Sequence, residues 1–181
     1  MESQHQNKMK QEQVEKITLN IGVGSPGDKL TKAKKLLEVI SGSKAVETKT
    51  MKRIPTWGLR PNLAIGVKVT LRGEKAEKLL IRLFSSLDNK LNIKNFDDYG
   101  NFSFGIKEYI DIPDVEYNPD FGMIGLEAAV TLERPGFSIK KRMKKTKIPF
   151  RHKIKKQEAM DFIKSKFKIE IVEEEDQNDL Q

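Results

Sequence analysis

The stretch KITLNIGV, residues Lys16 to Val23, decides the fold. Ile17, Leu19, Ile21 and Val23 alternate with Lys16, Thr18, Asn20 and Gly22, the period of two of a strand with one buried and one open face. A parallel strand covered by helices on both sides would be apolar almost throughout, so the alternation calls for an antiparallel sheet open on one side. The same pattern returns downstream. Ile65, Val67, Val69 and Leu71 alternate with Gly66, Lys68, Thr70 and Arg72, and Phe102, Phe104 and Ile106 with Ser103, Gly105 and Lys107. Leu126, Ala128, Val130 and Leu132 make a fourth run, stopped by Arg134, Pro135 and Gly136. Between the strands the period changes to that of helices. Leu30, Ala33, Leu37 and Ile40 follow Asp28, an expected N-cap, and run to Ser41 and Gly42, with Lys29, Lys32, Lys34 and Lys35 on the wet side. Ala76, Leu79, Leu80 and Leu83 mark a second helix, and Ala159, Met160, Ile163 and Phe167 a third. Ala45 to Thr50 is a weak strand, and RIPTWGLRP, Arg53 to Pro61, reads as a loop. The expected fold is an α+β two-layer sandwich, a largely antiparallel sheet with helices on one face and the other face open.

Composition bounds what such a fold does. The chain of 181 residues carries no internal repeat and has the length of one domain. It divides into a polar arm over residues 1–13, expected to be flexible, a single body over 14–168 and an acidic tail over 169–181. Net charge is +8, and the tail holds six acidic residues and no basic one, so setting that −6 aside leaves +14 on residues 1–168. A body this basic favours a polyanionic partner. The absence of cysteine excludes disulfide scaffolds, thiolate metal sites and cysteine nucleophiles, and fits a reducing cytoplasm. No apolar run approaches a membrane span, and only His5 and His152 supply imidazole. No catalytic residue, metal, cofactor or small-molecule substrate is expected.

Several features invite a chemical reading. Gly22, Gly24 and Gly27 fit G-x-G-x-x-G with Glu47 twenty residues beyond, the spacing of a dinucleotide fingerprint. The half-polar strand before it argues against a Rossmann unit, whose first strand is buried on both faces, and a plain glycine turn is the better reading. The open faces of two strands carry matching chemistry, Lys16, Thr18 and Asn20 on one and Lys68, Thr70 and Arg72 on the other. As neighbours they would converge hydroxyl, amide and cationic groups on a flat surface suited to the phosphates and riboses of RNA, without aromatics for stacking bases. A merely solvated sheet face is the alternative. Ser138 to Lys156 packs ten cations, among them Lys140, Lys141, Arg142, Lys144 and Lys145, into nineteen residues without an acid, a density that repels itself unless a polyanion neutralises it. Glu108, Asp111, Asp114, Glu116 and Asp120 lack metal-ligand spacing and read as a solvated loop or a contact for a basic protein. The alternatives to RNA binding in place are a nucleotide-dependent enzyme using the glycine turn and a non-specific nucleic-acid chaperone using the basic loop.

KITLNIGVG (Lys16 to Gly24), LEVISGSKAVETKT (Leu37 to Thr50), GLRPNLAIGVKVTLRGEKA (Gly58 to Ala76) and NFSFGIKEYIDIPDVEY (Asn101 to Tyr117), in this order, closely resemble the ribosomal protein L five family. GLEAAVTLERPGFSIKKR and HKIKKQEAM resemble its archaeal and eukaryotic branch. The resemblance implies a non-enzymatic, ribosome-bound component of the large subunit's central protuberance, binding 5S ribosomal RNA and adjoining large-subunit RNA. It carries RNA contacts onto Asn20, Thr70 and Arg72, with Lys16, Thr18, Gly22 and Lys68 beside them and Ser43 and Lys44 in the following turn. Ser43 stands where the family often has Gln, and its shorter side chain reaches less far. The resemblance also directs Arg53, Trp57 and Arg60 toward the peptidyl-site tRNA, with internal packing the other reading of Trp57, and other loops toward a head protein of the small subunit.

Overall fold

The computed structural model describes residues 7–172. Among them are seven strands, β1 (Gln13–Gly22), β2 (Val46–Lys49), β3 (Ala64–Leu71), β4 (Lys90–Asn92), β5 (Phe102–Ile106), β6 (Leu126–Glu133) and β7 (Glu170–Val172). Three helices accompany them, α1 (Asp28–Ser41), α2 (Glu74–Ser85) and α3 (Lys156–Phe167). Five strands form one sheet in the order β2-β3-β1-β6-β5, and each adjacent pair is antiparallel. The inward residues Ile17, Leu19, Ile21, Val67, Val69, Phe102, Phe104, Ala128 and Val130 join Leu30, Ala33, Leu36, Leu37 and Ile40 of α1 and Leu79, Leu80, Leu83 and Phe84 of α2 in one core. Burial of that apolar surface holds the layers together, and the expected α+β sandwich with one open sheet face is the one observed.

Local chemistry sets the element ends. Asp28 lies inside the first turn of α1, and Gly27, with φ of 129°, takes the N-cap position expected of Asp28. Only a residue without Cβ accepts that φ readily, and the Asp28 carboxylate instead complements the positive end of the helix dipole. Gly42, at φ of 60°, ends the helix and donates its N–H to the Glu38 carbonyl.

The ordered chain starts before the alternation does. Asn7 caps a short helical turn, Lys8–Lys10, and β1 begins at Gln13, opposite Glu133. The remainder of the polar arm, residues 1–6, lies outside the described residues, as do residues 173–181 of the acidic stretch. A β-bulge separates Val14 from Lys16, leaving Glu15 as the extra residue. The bulge reverses the parity of the strand, so Val14 and Ile17, three residues apart, both face the core. At the other end of the molecule β7 pairs in parallel with β4, residue Leu91 facing Ile171, and forms a second, two-stranded sheet. Three-residue strands are too short to show a period, which is why neither stood out in the sequence.

Arg134 is the buried charged residue of the described chain, 7% exposed. Its Nη2 lies 2.5 Å from Glu12 Oε1 and 3.1 Å from Glu158 Oε2, joining the start of β1, the end of β6 and the first turn of α3. Partial burial pushes the Glu158 carboxyl up, but the Lys155 backbone N–H and the Arg134 charge outweigh it and hold the group below its ordinary 4.5. Burial likewise disfavours charged Arg134, and the hydrogen bond to Glu12 with both carboxylate charges more than restores it. A carboxylate held low stabilises the fold above its unfolded-state pKa and loses that contribution as pH falls through the folded value. Chemical denaturation of the chain and its Glu158→Gln variant should therefore differ by a constant amount from neutral pH to about pH 5 and converge below it. A difference independent of pH would make the contribution one of packing rather than charge.

Candidate nucleic-acid interface

β1 and β3 are direct neighbours, with Thr18 opposite Thr70, Asn20 opposite Lys68 and Gly22 opposite Gly66. Lys16 stands at the edge of this set and Arg72 one residue past the end of β3. The six side chains singled out in the sequence thus share the open face. The face continues across the sheet, because Thr18 opposes Ala129 on β6 and Ala129 opposes Ser103 on β5. A row of Thr70, Thr18, Ala129 and Ser103 crosses four strands, and a surface of such short side chains lets a nucleic-acid backbone approach closely. Gly66 is required to be small: a Cβ there would lie 2.8 Å from Thr48 Oγ1 and 2.9 Å from the Ile21 carbonyl oxygen. None of these outward positions is aromatic, so the chemistry available is hydrogen bonding and charge pairing to phosphate and ribose rather than base stacking.

The face also holds acids that the strand pattern alone did not assign to it. Glu127 opposes Asn20, whose Nδ2 donates to Glu127 Oε2 over 3.4 Å. Glu15, turned outward by the bulge, has a side chain only 9% exposed and accepts from Arg72 Nη1 at 3.5 Å. Knowledge of strand pairing was the missing signal for both, since their partners lie 107 and 57 residues away in sequence.

Ser43 and Lys44 occupy the turn from α1 into β2, at the sheet edge; the Ser43 N–H donates to Ser41 Oγ, and Lys44 is exposed. Val46, two residues on, stands beside Lys68 and is also exposed. Arg53 to Pro61 forms a closed loop in which Ile54 bridges Leu59 and Pro55–Trp57 make a helical turn ended by Gly58. Leu59 is buried, while Arg53 and Arg60 are exposed and Trp57 is 73% exposed. Internal packing of Trp57 is thereby overturned: the buried side chain of this loop is that of Leu59.

The basic segment is not uniformly available. Lys141 Nζ forms ion pairs with Glu15 Oε1 and, at 3.3 Å, with Glu133 Oε2. The hydrogen bond to Glu15, working against partial burial and aided by Glu133, holds the Lys141 ammonium above its ordinary pKa. Part of the expected self-repulsion is thus relieved by the protein's own carboxylates. Lys140, Arg142, Lys144 and Lys145 are exposed and form no ion pair among the described residues. The far end of the segment is fastened by His152, whose Nε2 lies 3.0 Å from the Pro135 carbonyl oxygen and whose ring meets Phe137 edge-on, and by Lys153 over the Tyr99 ring. His5 lies outside the described residues.

The glycine turn does not lead into a dinucleotide site. β1 pairs antiparallel on both sides, so the parallel βαβ unit of such a site is missing, and Glu47 is tied to Lys34 of α1 at 3.0 Å on the helical side of the sheet. The turn closes on the backbone instead, with Val23 and Gly24 both donating to the Ile65 carbonyl. In the acidic stretch Asp114 meets Arg82 at 3.5 Å, and among the described residues no three His, Asp or Glu side chains converge as metal ligands would. Among the same residues no helix is long and apolar enough to cross a membrane.

Fold and site together describe an α+β sandwich whose open sheet face carries hydroxyls, cations and the acids Glu15 and Glu127, with a basic segment at its end. Residues 7–60 match the family model described as Ribosomal protein L5, and residues 64–162 match the model of the same ribosomal family's C-terminus. The chain belongs to the ribosomal protein L5 family, a family of ribosomal structural proteins. Its archaeal relatives named large ribosomal subunit protein uL5 include that of Sulfurisphaera tokodaii, 45% identical over 95% of this chain and 98% of its own length. The Nanoarchaeum equitans protein is 48% identical over 91% and 98%, and that of Methanosphaera stadtmanae 43% over 91% and 99%.

Proposed function

We propose that the chain is a constituent of the large ribosomal subunit, working in the cytoplasm, that binds 5S ribosomal RNA and adjoining large-subunit RNA in the central protuberance and acts by positioning rather than by covalent chemistry. The observation that carries this reading is the β1–β3 register, which joins Lys16, Thr18 and Asn20 to Lys68, Thr70 and Arg72 on one open face. Short donors in fixed register recognise a backbone of defined shape, and the exposed cations of the basic segment add affinity for phosphate. The test is retention of 5S RNA by the purified chain in competition with tRNA. Preferential retention supports the reading. Equal retention would favour a non-specific chaperone, and micromolar binding of NAD or ATP without RNA retention would favour a nucleotide enzyme.

Arg53, Trp57 and Arg60 belong in this proposal to a loop that reaches the peptidyl-site tRNA, while loops elsewhere meet a head protein of the small subunit. The support is exposure: both arginines and the indole face solvent on a loop whose buried side chain is Leu59. Ala at both arginines should leave 5S RNA affinity unchanged and alter retention of tRNA in the peptidyl site of reconstituted ribosomes. A matching loss of 5S RNA binding would assign the loop to the RNA platform instead.

A further inference from the structure

Glu15 is an anomaly on this surface. It is an acid on the side of the sheet where the proposed RNA platform lies, its side chain 9% exposed, placed there by the one bulge in β1. Ordinary pairing would carry Val14 to the open side and leave no outward residue between it and Lys16. The bulge instead puts the Glu15 carboxylate where three elements end: Arg72 follows β3, Glu133 closes β6, and Lys141 follows the helical turn Phe137–Lys140 near the start of the basic segment. Oε1 accepts from both Arg72 Nη1 and Lys141 Nζ, and Lys141 is shared with Glu133. Two carboxylates and two cations balance in charge. The cations keep side chains 61% and 51% exposed, so the fixed member of the cluster is the buried carboxylate and the movable ones are the bases it holds.

We propose that Glu15 is a positioning residue for RNA binding, whose carboxylate directs Arg72 along the open face and pins the start of the basic segment through Lys141. Lys141 accordingly serves the placement of the segment, and phosphate contact falls to its neighbours Lys140, Arg142, Lys144 and Lys145. The proposal rests on the reading of the open face as the RNA platform. It also makes a prediction of opposite sign to simple electrostatics. An acid beside a polyanion repels it, so removing the charge should tighten binding; if the acid positions two cations, removing it should weaken binding.

The experiment measures 5S RNA affinity of the full chain across a salt series. Glu15→Gln, which keeps the shape of the side chain, should weaken binding about three- to tenfold, the scale of one lost charge-assisted hydrogen bond. The loss should vanish when Arg72→Gln and Lys141→Gln are already present, because nothing is left for the carboxylate to position. Lys141→Gln alone should leave the salt slope nearly unchanged, whereas Lys144→Gln should flatten it by somewhat under one unit. Binding of Glu15→Gln at or above the affinity of the unmodified chain would overturn the proposal, as would a loss that persists in the doubly substituted background. A full unit of slope lost with Lys141→Gln would return that residue to the phosphate contacts, and this measurement stands even if Glu15→Gln does not fold. Failure of the unmodified chain to prefer 5S RNA would instead reject the functional reading beneath it.

Discussion

Truncation of Phe84 to Ala should lower the unfolding free energy by about 3–5 kcal/mol, the range for a buried aromatic replaced by a methyl group. Phe84 ends α2 and is 2% exposed. Its ring centre lies 5.4 Å from that of Phe167, 5.6 Å from Phe104 and 6.2 Å from Phe102, so it joins α2 to β5 and to α3. Removing it leaves a cavity walled by three separate elements that cannot all relax inward. Single domains are stable by roughly 5–15 kcal/mol, so the variant would keep only part of its margin. Urea denaturation monitored at two wavelengths checks the result, and Phe84→Leu, which fills most of the volume, should cost well under half as much. A loss below about 1 kcal/mol for the Ala variant would mean that α3 closes onto the sheet and refills the space.

The largest effect on binding is expected from the basic segment. With Lys140, Arg142, Lys144 and Lys145 all replaced by Gln, the slope of log affinity against log salt should flatten by up to about three units, since each phosphate neutralised releases somewhat less than one counterion. Affinity for 5S RNA and for an unrelated duplex should fall together, leaving their ratio little changed. Asn20→Ala or Thr70→Ala should show the complement, a loss of about 0.5–1.5 kcal/mol for 5S RNA at nearly constant slope. The reason is chemical: a cation on a long side chain reads charge, and a short amide or hydroxyl locked in a strand reads position. Loss of discrimination from the loop variant, with the strand variants binding normally, would move the specific site off the sheet.

The strands and helices around the open face were readable because each repeats a period over several residues, as Lys16 to Val23 and Ile65 to Arg72 do. Their juxtaposition was not readable, because alternation tells which way a side chain points and not which strand lies beside it. Glu127 and Glu15 escaped notice for that reason, and Lys141 looked like one cation among ten although its partners lie 126 and 8 residues away. Asp28 looked like a cap because capping preference is a property of residue type, whereas the φ of Gly27 follows from where the chain must turn. Trp57 was ambiguous by chemistry, since an indole serves equally inside and at a contact surface, and only the folded loop, which buries Leu59 and leaves Trp57 exposed, separates the two.

The central place of β1 also sets a timetable. The strand nearest the N-terminus is flanked by β3 and by β6, whose first residue is Leu126. As the chain leaves the ribosome, β1 and β3 can pair once about seventy residues are out, but the other edge of β1 stays bare until β6 follows. Through that interval the nascent protein exposes a half-built sheet in which one edge of β1 is unpaired, the condition in which chains aggregate or recruit chaperones. Its long-range closure makes folding slow relative to a helical protein of the same length. A ribosomal component with this topology is thus at its most vulnerable while a ribosome is still making it.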